Sequence, residues 1–177
     1  MHELHQRALE AIERATTGMS AAEMEFHTEG KWSAALILEH LALAFAGTAK
    51  MLERCLAEGR PLGDVPKLDA RAKKFLVVTL GYFPPGRKAP KHVEPTGALA
   101  GSEAVRKIRS DLERMDALHA ECYRKIGTKG WIANHPVLGP MTIDEWPRFH
   151  WVHTRHHMKQ IERLRRVQAA STQKASA

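Results

Sequence analysis

Cysteine is scarce in this chain of 177 residues, with only Cys55 and Cys122, both in stretches that read as helix and without paired spacing. That excludes a disulfide framework and suits reduced, partly buried thiols. Aromatic residues make up 6% and are not interleaved with the basic ones, so the stacking platforms of single-strand nucleic-acid binders are missing. The net charge of +7 and the pI near 9.6 are therefore read as a solvated basic face, and nucleic acid is not the expected partner. Long apolar runs are missing too. The longest, around Ala34 to Ala46, is broken by Glu39 and His40 and falls short of the roughly 18 to 20 residues of a membrane span. No basic region followed by a hydrophobic core opens the chain, so a secretory signal is not expected and a cytoplasmic location is.

What is present is helical periodicity. Hydrophobic residues at 44% and charged residues at 27% are ordinary globular composition, and the length fits one domain with its own core. Leu4, Ala8, Ala11, Ile12 and Ala15 predict a first helix over about Leu4 to Thr16. A second, capped by Ser33, runs to about Glu58 before Gly59 and Pro61 stop it. Its apolar side carries Leu36, Ile37, Leu41, Ala44, Gly47 and Met51, with Glu39, Lys50 and Glu53 opposite. From Gly59 to Gly101 the chain reads as a long surface crossover with a short helical piece around Asp69 to Leu80, followed by the proline-rich run PPGRKAPKHVEPTG. A third long helix is expected from about Ser102 to Ile126, with a seam of Val105, Ile108, Leu112, Met115, His119, Cys122 and Ile126. GTKGWIANHPVLGPM reads as loop. The last helix starts at Thr142 as a capping box with Glu145 or, preferably, after Asp144 with Pro147 in its first turn, and ends near Val167. The expectation is an all-α four-helix bundle over residues 1–168 with one long crossover connection and a flexible C-terminal tail over 169–177.

Histidine is abundant, with 11 residues, four of them in the run HWVHTRHH from His150 to His157. At about 100° per residue, His150, His153 and His157 share one arc of the last helix with Trp146, Ile161 and Leu164, opposite Arg148, Arg155, Lys159, Glu162 and Arg166. These histidines face the core, where an unsatisfied polar group costs about 1 to 3 kcal/mol. His153 and His157 have the i, i+4 spacing that lets two imidazoles meet one ion, although such a pair also occurs as an ordinary hydrogen-bonded core pair. His40, amid ILEHLALA, is a third core-facing histidine on a separate helix. Together they favour a divalent metal, with zinc or nickel best suited to an all-imidazole set. His150 reads either as a further ligand or as core packing. His119 reads as seam or pocket lining, His156 as a hydrogen-bonding residue at the edge of the face, and Gln160 as support for a ligand. Glu39 points about 100° from His40 and is not expected to bind the ion. Trp32, Trp131, Trp146 and Trp151 are candidates for a pocket wall or core, and the loop with Trp131, His135 and Pro136 for a lid.

The segment KWSAALILEHLA resembles the second helix of the DinB/YfiT-like superfamily of metal-dependent proteins, and HPVLGPMTIDEWPRFHWVHTRHHMKQI is similar to the last helix of one of its branches. The resemblance implies a four-helix bundle with a three-histidine ligand set at His40, His153 and His157. Among relatives of this kind are thiol-dependent transferases and isomerases. It therefore implies a metal-dependent enzyme, an S-transferase or hydrolase, with a small-molecule substrate and a low-molecular-weight thiol cosubstrate. The competing expectation is a non-catalytic metal-binding or stress-response protein. A homodimer is a further expectation. The crossover from Gly59 to Gly101 matches nothing in that family that assigns substrate contacts.

Overall fold

Ser33 starts the helix on which everything else packs. Its hydroxyl accepts from the Leu36 amide at 3.2 Å and its backbone is extended, which satisfies one of the orphan donors of the first turn. The helix runs Ala34–Glu58 and closes at Gly59, whose left-handed conformation (φ 66°) returns its N–H to the Cys55 and Leu56 carbonyls. In the computed structural model, which describes residues 1–83 and 88–175 apart from the side chains of residues 69, 172, 174 and 175, this is the third helix, α3. Before it lie α1 (Glu3–Thr16) and a short α2 (Ala21–Glu25); after it come α4 (Leu68–Lys74), α5 (Gly101–Lys125) and α6 (Glu145–Ala175). The long helices α1, α3, α5 and α6 pack as the expected bundle, α3 against α5 and α1 against α6. Phe45, Ile37, Leu38, Leu41 and Leu52 of α3 are sealed in the core with Ile12, Ile108, Leu112, Met115 and Ile161. By length and mean hydropathy (1.4) α3 passes the test for a membrane span, yet 61% of that window is buried inside the protein. It is a core helix.

Three features depart from the sequence reading. The α2 helix was not anticipated, although Ser20 and Glu23 form a reciprocal capping box at its start. The segment read as loop after α5 holds a two-stranded antiparallel ribbon, β1 (Ala133–His135) and β2 (Gly139–Met141), with Ala133 opposite Met141 and His135 opposite Gly139. Three residues per strand are too few to show alternation, and His135 builds the turn by accepting the Val137 and Leu138 amides on Nδ1. The last helix continues past Val167 to Ala175, because its sequence there holds alanine, glutamine and lysine and neither glycine nor proline. Its start agrees with the preferred reading: the helix begins directly after Asp144.

The crossover follows α4 with a π-helical turn, Phe75–Thr79, and a 3-10 turn, Lys91–Val93. Pro84 to Arg87, part of the proline-rich run, lie outside the described residues. Lys74 ties this arm down: its buried ammonium donates to the Pro140 carbonyl at 3.1 Å and to Glu145 at 2.8 Å and lies over the Trp131 ring.

A polar cluster joins the N-terminal helix to the bundle. Asp116 of α5 accepts from the His2 amide and from His5 Nδ1, each at 2.7 Å, while His119 donates to the Ile143 carbonyl and His150 to the Thr48 hydroxyl. Burial drives His5 down to about 4 despite the pull of Asp116, and drives His119 and His150 down as well. In the unfolded chain these rings take up a proton near 6.5. Folding stability is therefore fully present above pH 6.5 and lost as the pH falls toward 4. The melting temperature of the metal-free protein should fall on going from pH 7 to pH 5, and His5→Leu should flatten that slope; equal melting temperatures at the two pH values would contradict this account.

Candidate metal centre

His40 sits on the second turn of α3, His153 and His157 on successive turns of α6, and the two helices bring the three rings to one point. His40 Nε2 lies 3.1 Å from His153 Nε2, which lies 3.0 Å from His157 Nε2, and the ligand atoms of all three are within 4.8 Å of one another. The other ring nitrogens fix the tautomers. His40 Nδ1 faces the Val93 carbonyl at 2.7 Å and His157 Nδ1 faces Gln160 Oε1 at 2.8 Å. Carbonyl oxygens only accept, so both Nδ1 atoms carry the proton and both Nε2 atoms present bare lone pairs. His153 Nε2 can hold one proton and donate it to one neighbour. The second short N···N contact then has no proton of its own to close it.

A cation removes that conflict. Metal–nitrogen bonds of about 2.0 to 2.1 Å at tetrahedral angles set neighbouring nitrogens about 3.3 Å apart, close to the spacing found here. The donor set is also ready in charge: burial, followed by the neighbouring histidines, holds His153 well below the ordinary imidazole range, and burial holds His157 down at about 3. His40 is lowered by burial against the opposing Val93 hydrogen bond. The rings are neutral at pH 7, the state a metal requires. Exposures of 4% for His40, 8% for His153 and 7% for His157 put the site just beneath the surface.

Aromatic rings wall it. Phe149 stacks on His153 at a centroid distance of 5.3 Å, Phe83 from the crossover lies over both His153 and His156, and Trp32 packs on His40. Gln160 accepts from His157 and, through its amide nitrogen, meets His156 Nε2 at 3.2 Å. Gln160 thus holds the His157 ring in place, and His156 bonds within its own helix.

The other candidates lie elsewhere. His150 bonds Thr48 and His119 bonds Ile143, so neither joins the three nitrogens. Trp146 packs on His150, Trp151 lies under Arg7, and Trp131 lies under Lys74, which leaves Trp32 as the tryptophan at the site. His135, expected in a lid, forms the ribbon turn and packs edge-on against Phe149. The cover over the site is Phe83, which periodicity could not find because it comes from an irregular segment. Glu39, assigned by its polarity to the outer face of α3, is 3% exposed and bound to the crossover.

The sequence model of the DinB superfamily matches residues 4–161. The chain belongs to the DinB superfamily. The match includes all three histidines, the whole of α3 and α5, nearly all of α1 and the first part of α6. No curated protein and no solved structure gives a significant match.

Two outcomes follow for this DinB-superfamily bundle. Elemental mass spectrometry should find about one equivalent of a divalent metal in the wild type and in His150→Ala, and none in His153→Ala; loss in His150→Ala with retention in His153→Ala would place the site wrongly. Gln160→Ala should weaken metal binding about 10- to 100-fold, the range for losing a residue that orients a ligand, as read by competition with a chelating dye.

Proposed function

We propose that the protein is a metal-dependent enzyme in which a divalent ion, zinc or nickel, held by His40, His153 and His157, activates a low-molecular-weight thiol for S-transfer to a small-molecule substrate. The observation that carries this reading is the set of three converging Nε2 atoms with too few protons to satisfy one another. Three imidazoles leave at least one coordination position for an exogenous group, the arrangement that distinguishes catalytic from structural sites. When bound, the ion supplies Lewis acidity that makes a thiol or a water a nucleophile at neutral pH.

The chain's own residues favour the thiol over water. Among the described residues, the group able to hold an ion consists of the three histidines alone, with no carboxylate among them. Glu39, next to His40 in sequence, spends both oxygens on Thr96 and Gly97. A free thiol, with a pKa of about 8.5, needs little help to ionise, whereas hydrolysis gains from a general base beside the nucleophilic water. Phe83 and Phe149 stack on the His153 ring and Trp32 packs on His40, apolar surroundings that strengthen electrostatic stabilisation of a thiolate there. Val93 and Gln160 hold two of the rings so that their lone pairs stay directed inward. A reducing cytoplasm belongs to the same reading, since both cysteines are free and buried.

Cobalt-substituted protein tests it. Titration with a series of small thiols should change the visible absorption of the bound cobalt, with saturation in the range of cellular thiol concentrations. A spectrum indifferent to every thiol would leave the bundle as a non-catalytic metal-binding protein.

A further inference from the structure

Glu39 and His40 are consecutive on α3, and both are held by one short stretch of the crossover. His40 Nδ1 donates to the Val93 carbonyl at 2.7 Å. Glu39 Oε1 accepts from the Thr96 amide at 3.2 Å and the Thr96 hydroxyl at 3.0 Å, and Oε2 accepts from the Gly97 amide at 2.8 Å. Adjacent residues diverge by about 100° around a helix, so one side chain points down to the ligand cluster while the other reaches the strap that crosses it. Gly97 takes a positive φ of 79°, which turns its amide as the chain bends at the carboxylate. The contact is strong for its size. Bonds from backbone N–H to an ionised carboxylate are roughly twice as strong as neutral ones. Burial alone would raise the Glu39 carboxyl, and the amides of Thr96, Gly97 and Ala98 with the Thr96 hydroxyl outweigh it, so the group is held below the usual carboxylate range.

Glu39 is the polar anchor of the crossover at this point, beside the apolar packing of Val93 and Leu99. Between the 3-10 turn Lys91–Val93 and the start of α5, residues 94–100 form no regular element, and Thr96, Gly97 and Ala98 are exposed. Val93 itself is buried and its carbonyl is the partner of His40. A strap fixed at Thr96 and Gly97 therefore sets where the Val93 carbonyl stands, three residues earlier.

We propose that Glu39 is a positioning residue of the metal site: it anchors residues 96–97 so that the Val93 carbonyl locks the His40 ring with Nε2 toward His153 and His157. This rests on the three-histidine reading, but its first consequence is independent of metal. Losing the anchor frees the Val93 carbonyl, and the His40 ring gains a second tautomer and a wider range of rotation. Glu39 touches neither the ion position nor a substrate, so its effect reaches the site only through the strap and His40.

The experiment uses full-length wild type, Glu39→Gln and Thr96→Val. In the metal-free protein, the His40 Nδ1–H resonance in nitrogen-edited NMR should be sharp in the wild type and broadened or lost in Glu39→Gln. The cobalt dissociation constant should rise about 10-fold or more in Glu39→Gln, with a changed absorption spectrum, and severalfold in Thr96→Val. A lower melting temperature with an unchanged His40 resonance and unchanged cobalt binding overturns the proposal and makes Glu39 a staple of the loop. If the wild type takes up no cobalt, the metal reading fails, while the resonance still decides the role of Glu39. If Glu39→Gln does not fold, Thr96→Val decides by the same two readouts, and its identity with the wild type in both overturns the proposal.

Discussion

Three imidazole nitrogens, that of His153 lying 3.1 and 3.0 Å from those of His40 and His157 whose protons are committed elsewhere, form a constraint that hydrogen bonding alone does not satisfy. Much of the surrounding architecture maintains it. Holding lone pairs together in a protein interior is unfavourable, and it persists because each ring is fixed from behind and from its faces. Val93 and Gln160 set the tautomers, Phe149 and Phe83 fix the plane of His153, and Trp32 fixes that of His40. A site placed on two long helices and braced in this way is preorganised, so a cation that binds it spends little on ordering the ligands.

The crossover links fold to site. In an ordinary bundle a connection between the second and third long helices only spans distance, whereas here it provides a carbonyl to His40, an aromatic ring over His153 and an anchor on Glu39. Lys74 secures its first half through Pro140 and Glu145, next to the start of α6. The helix α6 and the strap above its histidines are thereby tied together at their near ends. Long connections in compact domains carry function more often than they serve as spacers, and this one meets that expectation by direct contact.

The bundle was legible because α1, α3, α5 and α6 are long and periodic, and α3 is in addition delimited by residues whose role is local. Ser33 and Gly59 delimit α3 by side-chain chemistry and backbone conformation, independent of tertiary context. The three-histidine cluster was legible because polar residues on otherwise apolar faces are rare: His40 among leucines and His153 and His157 on the arc opposite Arg155 and Lys159. Glu39 was misread for the same physical reason in reverse. A carboxylate on a helix is assigned to solvent unless a partner is visible, and its partners are backbone amides of a segment without periodicity, which carry no signature in sequence. Phe83, the β1–β2 ribbon and the contact of Lys74 with Pro140 depend likewise on tertiary placement of irregular chain.

Proton affinity ties these points together. An exposed histidine binds its proton near pH 6.5, so a metal entering such a site at slightly acid pH must compete with it. Here burial depresses all three rings, repulsion from neighbouring histidines adds to it at His153 and at His157, which falls to about 3, and the competition is displaced toward lower pH. Burial that would be a liability for a proton-binding group favours a metal-binding one, because the rings meet the ion already unprotonated and the ion can coordinate lone pairs that solvent does not reach. The aromatic walls contribute to the burial that disfavours the protonated rings, and a cation is the one kind of partner that would satisfy all three donor nitrogens at once.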